Sequence, residues 1–258
     1  MISDLAYVHK DARIGENVTI EPFVYIAGDV TIGDGTWIGP NAVILNGARI
    51  GRECRIFPAA VISAIPQDLK FRGEETTVEI GDKTTIRESA TVNRGSAAVG
   101  KTVVGSGCLL MAYSHVGHDC RIGNNCILGN SSGLAGEAKV DDWAILSAGT
   151  LVHQFSRIGA HVIVGGGGKV RTDVPPFIKA DRDPLCFLGL NNVGLTRRGF
   201  EKERVDEIHK IYRIIYQNGM NVSQALDYLE REFQPSADRD YIINFIRHSE
   251  RGIIRGPR

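Results

Sequence analysis

The feature that most constrains this chain is a six-residue repeat of aliphatic side chains. Between residues 8 and 170 there are 28 positions spaced six apart, and 25 of them hold Ile, Leu or Val. These residue types make up 64 of the 258 residues, so chance would place only about seven of them there. The exceptions are Asp68, Glu74 and Ala98. An α-helix cannot keep such a stripe on one face, because 3.6 residues per turn spreads it around the cylinder.

A triangular solenoid can bury this stripe. Each hexad forms one flat side, three hexads close a coil of about 18 residues, and the aliphatic side chain points inward. The residue after the aliphatic one is often glycine, which we expect to tolerate the turn at a corner. The position four after it is small or β-branched. Four of the five cysteines occupy that position and are expected to be small buried residues, not metal ligands or nucleophiles: Cys54, Cys108, Cys120 and Cys126.

Two interruptions and a change of period divide the chain. The inward aliphatic residue is missing near 63–77 and near 93–102, and the first stretch should leave the solenoid as a loop, since a coil cannot bury Asp68 or Glu74. The repeat ends after Val170, and two prolines mark the exit from a β-helix spanning residues 1–176. Residues 177–198 are expected to be a linker and nucleotide-site segment. Residues 199–258 have a helical pattern and are expected to form a C-terminal helical domain, with Ser223 as an N-cap. These helices are expected to cap the open end of the solenoid.

Net charge and hydropathy limit the kinds of partner that the chain is expected to bind. The formal net charge is zero, so the chain carries no electrostatic footprint for nucleic acid. It has no charged-then-apolar leader and no apolar run long enough to span a bilayer. We therefore expect a soluble, cytoplasmic protein.

Three histidines in the second half of the repeat suggest chemistry. His115, His118 and His153 all avoid the inward position and should face outward. His118 precedes Asp119, and a base beside a carboxylate is what general-base catalysis needs. With coils of 18 residues, Gly136 should lie directly over His118 and Gln154 over Gly136. A glycine about 5 Å away can present its backbone N–H to a developing oxyanion.

Six motifs follow one another along the chain: QDLK at 67–70, SHVGHDC at 114–120, LAG at 134–136, VHQF at 152–155, DVPP at 173–176 and GLTRRGF at 194–200. In this order, and over essentially the whole chain, they resemble the UDP-N-acetylglucosamine O-acyltransferase family. The resemblance implies a left-handed parallel β-helix with a C-terminal α-helical domain. It also implies transfer of a 3-hydroxyacyl chain from acyl carrier protein to the 3-position of UDP-N-acetylglucosamine, the first step of lipid A synthesis. The expected enzyme forms no covalent intermediate, uses no cofactor or metal, and is a homotrimer with active sites between subunits.

The resemblance also assigns roles to residues. His118 would be the general base, Asp119 would orient it, and the Gly136 N–H would be the oxyanion donor. The sugar and phosphates would be held by Asp68, Lys70 and His115. The nucleotide side would be held by His153, Gln154, Asn191, Arg197 and Arg198. Gly166 would line the acyl-chain groove. Three positions depart from the family pattern, namely Glu137, Val193 and Pro184.

Other interpretations remain open on the residues alone. A hexapeptide acetyltransferase using acetyl-CoA would share the fold and a histidine base, and the acceptor atom could be the 3-amine of a UDP-diamino sugar. A trimer could pool His115, His118 and His153 around zinc. A non-catalytic scaffold would not require His, Asp, Lys and Arg around one column. The basic residues Lys169, Arg171, Lys179 and Arg182 are either a solvated face or a docking surface for an acidic carrier protein.

Overall fold

In the computed structural model, which describes residues 1–256, the first two thirds of the chain wind into stacked coils of short parallel strands. The strands are β1 (Tyr7–Val8), β2 (Arg13–Ile14), β3 (Thr19–Ile20), β4 (Tyr25–Ile26), β5 (Val30–Ile32), β6 (Trp37–Ile38), β7 (Val43–Ile44), β8 (Ala48–Ile50), β9 (Arg55–Ile56), β10 (Val61–Ala64), β11 (Thr77–Ile80), β12 (Thr85–Ile86), β13 (Thr91–Asn93), β14 (Lys101–Val104), β15 (Leu109–Leu110), β16 (His115–Val116), β17 (Arg121–Ile122), β18 (Ile127–Leu128), β19 (Gly133–Leu134), β20 (Lys139–Val140), β21 (Ile145–Leu146), β22 (Leu151–Val152), β23 (Arg157–Ile158), β24 (Ile163–Val164), β25 (Lys169–Val170), β26 (Ile178–Asp181) and β27 (Cys186–Leu190).

Every third strand belongs to the same sheet, so the coils form a prism with three faces. The β1 sheet runs from β1 to β25, the β2 sheet from β2 to β23, and the β3 sheet from β3 to β24, extended by β26 and β27. The prism has three edges, which we name after the sheets that they join: the β1–β2 edge, the β2–β3 edge and the β3–β1 edge. The predicted fold is confirmed, because this architecture is a left-handed parallel β-helix followed by helices.

Strand register shows where the chain leaves the coils. Most neighbouring coils are offset by 18 residues, as in the pairing of Tyr7 with Tyr25. Val61 instead pairs with Thr91, an offset of 30, and Thr91 pairs with His115, an offset of 24. The extra residues form a first excursion loop (residues 65–76) and a second excursion loop (residues 94–100). Each lies between a strand of the β1 sheet and the next strand of the β2 sheet, so both emerge from the β1–β2 edge.

The repeated aliphatic side chains fill the interior of the prism. From Ile20 to Val170 they are almost completely buried, and the four cysteines of the repeat are buried beside them. Fully burying one such side chain stabilises the fold by about 1.5–3 kcal/mol. The cysteines therefore serve as small core residues, as predicted.

The expected reason for the repeated glycines was wrong. The left-handed backbone positions lie three residues after the inward aliphatic side chain, and non-glycine residues occupy many of them, including Asp119 and Glu137, both at φ 61°. The glycine directly after the aliphatic residue is required by close stacking instead. At Gly33, for example, an added Cβ would lie 2.6 Å from the Gly51 carbonyl carbon and 2.7 Å from Arg52 N.

The last part of the chain closes the end of the prism. Strands β26 and β27 form an antiparallel pair, and four helices follow: α1 (Asn192–Arg197), α2 (Lys202–Gln217), α3 (Val222–Glu232) and α4 (Ala237–Arg247). The Tyr241 hydroxyl donates to Asp141 Oδ2 at 2.6 Å and accepts from Ala160 N at 2.9 Å. The Tyr212 hydroxyl donates to Pro176 O at 2.6 Å. The helices thus pack on the last coils, as expected of a cap.

One helix start differs from its prediction. Ser223 lies inside α3, and the N-cap is Asn221, whose side chain accepts from Gln224 N while the Gln224 side chain accepts from Asn221 N. This reciprocal capping box satisfies two backbone donors, whereas a lone serine satisfies one. Among residues 1–256 no helix has the length and apolar composition needed to cross a membrane.

Candidate active site

His118 and Asp119 occupy the β1–β2 edge, between strands β16 and β17. His118 Nδ1 lies 2.8 Å from Asp119 Oδ2. The His118 side chain is 12% exposed and that of Asp119 is fully buried. The outward position predicted for this histidine is therefore confirmed, but its ring is enclosed and not freely solvated. The other ring nitrogen, Nε2, remains available to act as a base.

Gly136 lies one coil above and forms the surface against which the His118 ring packs. The pairing of His115 with Gly133 sets this register and confirms the predicted stacking. A Cβ added at Gly136 would overlap the His118 ring, approaching Nε2 most closely and reaching 2.6 Å from Cε1. Within residues 1–256 the Gly136 N–H donates no hydrogen bond. An unused donor next to a base is the arrangement that an oxyanion site requires.

The Asp119 carboxylate is held by a residue that sequence analysis missed. Ser96, in the second excursion loop, directs its backbone N–H to Asp119 Oδ1 at 3.0 Å and its hydroxyl to Oδ2 at 2.6 Å. The Asp119 N–H donates to Thr102 Oγ1 at 2.8 Å. The interruption of the repeat marked this segment, but nothing in the sequence indicated which coil the loop would touch.

The first excursion loop brings Asp68 to the same edge. Asp68 Oδ2 lies 4.0 Å from His118 Nε2. Asp68 Oδ1 accepts a hydrogen bond from Lys70 N at 2.9 Å, and the Lys70 side chain is exposed. The base of the loop is fixed by the buried Asn93 side chain, which donates to Ile65 O. The loop therefore places a carboxylate beside the histidine and an ammonium group at its tip.

The other predicted histidines also lie at or beside this edge. His115, on the outer face of the β1 sheet, has its Nδ1 2.7 Å from the Thr91 hydroxyl. Burial lowers the pKa of His115, which favours the neutral ring. His153 Nδ1 lies 3.1 Å from Gln154 O, and both residues follow β22 on the β1–β2 edge, two coils above His118. Leu151 pairs with Gly133, which confirms the predicted column of His118, Gly136 and Gln154.

The remaining predicted residues lie on other edges of the same chain. Asn191 Nδ2 donates to His161 O at 2.9 Å, and Asn191 Oδ1 caps α1 by accepting from Gly194 N. The Arg198 guanidinium lies over the Trp143 ring, 5.1 Å from its centroid. Since Trp143 and His161 both follow strands of the β2 sheet, this group marks the β2–β3 edge.

Arg197 is exposed on α1, and Gly166 is exposed on the β3–β1 edge, between β24 and β25. A single chain therefore does not bring Asn191, Arg198 or Gly166 together with His118.

The three departures from the family pattern fall in different surroundings. Glu137 is half-buried and lies one coil above Asp119, because its backbone N–H donates to His118 O at 2.9 Å. Val193 is exposed on α1. Pro184 lines a cavity of about 490 Å³ with Lys169, Arg171 and Arg182. Only Glu137 is therefore close to the candidate base.

The local chemistry favours direct proton abstraction. Burial raises the pKa of the neighbouring Cys120 thiol to about 12, so this cysteine is not a nucleophile at neutral pH. Within residues 1–256 no three His, Cys, Asp or Glu side chains are grouped as a metal site would need. The groups that lie together here are those that general-base catalysis can use: an imidazole beside a carboxylate, a second carboxylate from Asp68, and the free Gly136 N–H.

Comparison with known families agrees with this geometry. Residues 173–254 match the family described as Udp N-acetylglucosamine O-acyltransferase, domain 2. Residues 11–36, 29–64 and 101–136 match the bacterial transferase hexapeptide repeat.

Individual relatives extend the similarity to the full chain. An Acyl-[acyl-carrier-protein]--UDP-N-acetylglucosamine O-acyltransferase of Aliivibrio fischeri is 48% identical and covers 99% of this chain and 100% of its own. A UDP-N-acetylglucosamine acyltransferase crystal structure from Bacteroides fragilis is 55% identical, with a TM-score of 0.96 over 99% of this chain and 100% of the other. The corresponding structure from Francisella novicida is 37% identical, with a TM-score of 0.97 over 100% and 95%.

Proposed function

The chain belongs to the UDP-N-acetylglucosamine O-acyltransferase family, and we propose from this premise that it transfers a 3-hydroxyacyl chain from acyl carrier protein to the 3-hydroxyl of UDP-N-acetylglucosamine. The proposal rests mainly on the position of the His118 ring. Its Nδ1 lies within hydrogen-bond distance of Asp119, and its Nε2 packs against Gly136. This reaction is the first step of lipid A synthesis.

In the proposed mechanism His118 acts as a general base. Its Nε2 takes the proton of the acceptor hydroxyl as the oxygen attacks the thioester carbonyl, and Asp119 stabilises the resulting imidazolium. The Gly136 N–H donates to the tetrahedral oxyanion, which then collapses and expels the thiolate of the carrier arm. The imidazolium returns the proton to this leaving group, so no covalent enzyme intermediate is needed. A single oxyanion donor contributes roughly 3 kcal/mol.

Substrate contacts are assigned by position. Asp68 and Lys70 approach the site from the first excursion loop, and with His115 they are proposed to bind the sugar and phosphates. His153 and Gln154 extend the same edge toward the nucleotide. Asn191, Arg197 and Arg198 complete the nucleotide side from another chain, and Gly166 leaves space for the acyl chain.

A homotrimer explains why these residues lie on different edges. The outer face of the β2 sheet is charged, with Arg13, Arg49, Arg121, Lys139 and Arg157. The outer face of the β3 sheet is apolar at Leu109, Ile127, Ile145 and Ile163, and that of the β1 sheet at Val43, Val61 and Leu151. In a three-fold assembly the β3 sheet of one chain can pack on the β1 sheet of the next. The β1–β2 edge of one chain then meets the β2–β3 edge of its neighbour.

The first test is acyl transfer from carrier proteins loaded with 3-hydroxyacyl chains of different lengths to UDP-N-acetylglucosamine. Wild type should be active with at least one donor, and His118→Ala should lose roughly 10²–10⁴-fold in kcat. Folded wild type that transfers only to a UDP-diamino sugar would change the acceptor atom. Transfer only from acetyl-CoA would replace the proposed donor.

Subunit mixing tests the composite site. His118→Ala and Arg198→Ala chains should each be inactive alone, since each spoils every site of its own trimer. When equal amounts of the two chains assemble at random, about a quarter of all sites receive an intact His118 from one chain and an intact Arg198 from the next, so activity should reappear. Mixed trimers that stay inactive would mean that one chain supplies both residues.

The partners in this proposal are acyl carrier protein, UDP-N-acetylglucosamine and two further copies of the chain. Because the donor named for the relatives is a carrier protein and the acceptor a nucleotide sugar, we propose that the reaction takes place in the cytoplasm.

A further inference from the structure

The second excursion loop interrupts the repeat at Ala98 and contains none of the proposed substrate-binding residues. It adds six residues to one coil and places Ser96, which is buried, against the Asp119 side chain. Two other bonds fix the loop itself. The Gly100 N–H donates to Ser96 O at 2.7 Å, and the Thr76 hydroxyl donates to Gly95 O at 2.6 Å.

For each hydrogen bond around Ser96, only one assignment of donor and acceptor is consistent with the others. The Ala98 N–H donates to Ser96 Oγ at 3.2 Å, so this oxygen is already an acceptor. Its single proton points to Asp119 Oδ2, 2.6 Å away. The Ser96 N–H lies 3.0 Å from Oδ1 and 3.1 Å from Oδ2 of the same carboxylate. With Asp119 ionised, each contact from Ser96 to Asp119 uses the carboxylate as an acceptor.

Because the carboxylate accepts in all of these bonds, it also determines the tautomer of His118. Asp119 Oδ2 lies 2.8 Å from His118 Nδ1, and an ionised carboxylate can only accept there. His118 must then carry its proton on Nδ1, which leaves the Nε2 lone pair over Gly136. The Asp119 backbone is held as well, because its N–H donates to Thr102 Oγ1.

We propose that Ser96 is a positioning residue for the general base: through Asp119 it fixes the orientation and tautomer of His118. The six-residue insertion therefore belongs to the catalytic apparatus, although none of its residues needs to touch substrate. This inference rests on the proposed function, since it assigns Nε2 as the base.

Kinetics of Ser96→Ala are the main test. Loss of a hydrogen bond to a charged group should lower kcat roughly tenfold to a hundredfold, with the KM for UDP-N-acetylglucosamine within about twofold. Ser96→Thr keeps the hydroxyl and should recover most of the rate. Ser114→Ala is the matched control, because Ser114 is also buried but its hydroxyl has no partner within residues 1–256. A Ser96→Ala enzyme with wild-type kcat, or with a change confined to KM, would overturn the proposal.

A double variant separates positioning from a purely structural effect. Combined with Asp119→Asn, Ser96→Ala should cause little further loss, because Ser96 acts through Asp119; multiplied losses would contradict this.

A measurement on the wild-type protein covers the case in which Ser96→Ala does not fold. Nitrogen NMR of histidine-labelled protein, with the His118 signals assigned by their loss in His118→Ala, should show a protonated Nδ1 and an unprotonated Nε2. The opposite tautomer would overturn the positioning role. Because this readout needs no turnover, it stands even if acyl transfer fails, which separates the failure of this inference from failure of the proposed function.

Discussion

Replacing Gly136 with alanine tests the contact on which the candidate site depends. The new Cβ would overlap the His118 ring, 2.6 Å from Cε1 and still closer to Nε2. Because the obstructing atoms end a side chain, the ring can rotate away and the fold survives. The base is then lost, so kcat should fall roughly 10²–10⁴-fold. At 1.36 kcal/mol per tenfold this is about 3–5 kcal/mol of transition-state stabilisation.

Gly33→Ala provides the opposite case. Its Cβ would meet backbone atoms of the next coil, 2.6 Å from the Gly51 carbonyl carbon, and backbone cannot move aside cheaply. Overpacking of this kind costs about 1–3 kcal/mol. The melting temperature should then drop by about 2–4 °C per kcal/mol, while kcat is unchanged at temperatures where the variant is folded.

The assay is acyl transfer to UDP-N-acetylglucosamine, measured beside the melting temperature of each variant. We expect Gly136→Ala to lose activity with a small change in melting temperature and Gly33→Ala to show the reverse. A Gly136→Ala enzyme with kcat within about fivefold of wild type would refute the argument that the base acts from its position against residue 136.

Three further outcomes can be measured. Lys70→Ala should raise the KM for UDP-N-acetylglucosamine about tenfold with little effect on kcat, because an exposed loop ammonium contributes binding in the ground and transition states alike; an unchanged KM would remove Lys70 from the site. Tyr241→Phe should cost about 1–3 kcal/mol in free energy of unfolding, since it leaves Asp141 and the Ala160 N–H without this partner; an unaltered melting temperature would mean that these two hydrogen bonds do not stabilise the cap. Burial, aided by nearby arginines, lowers the pKa of His161 to about 4, whereas the unfolded chain takes up that proton near pH 6.5. Its stabilising contribution is therefore complete above about pH 6.5 and is lost as the pH falls toward 4. His161→Phe, which retains an aromatic ring for stacking, should show a weaker loss of melting temperature over that window, and an identical profile would contradict the assignment.

The column of His118, Gly136 and Gln154 could be predicted because the repeat is strict. Once the inward position is known, each residue can be assigned to a face or an edge and to a neighbour 18 residues away. The spacing between coils then gives the distance between stacked residues. The outward direction of the histidines and the burial of the cysteines followed from the same register. The helical faces around Ile208 and Ile242 were equally readable, since amphipathic period and burial agree there.

A local sequence pattern was a poor predictor of structure where two different arrangements fit it equally well. Ser223 and Asn221 are both good caps, and the choice fell to Asn221 because Gln224 is placed to complete the capping box. The glycine after each aliphatic residue suited either a left-handed corner or a close approach. Only the stacking of coils decided for close approach, as at Gly33.

By itself, the sequence determined the coil, its inward and outward sides, and the column that holds the base. Only the tertiary structure decided three features: both excursion loops leave the β1–β2 edge, Ser96 donates hydrogen bonds to Asp119, and Arg198 lies on a different edge of the prism from His118. The physical reason is the range of the interactions. Strand register is passed from coil to coil by backbone hydrogen bonds between neighbouring strands, and the six-residue repeat of the sequence reveals it. The contact from Ser96 to Asp119 instead spans 23 residues and depends on the path of a loop that no period describes.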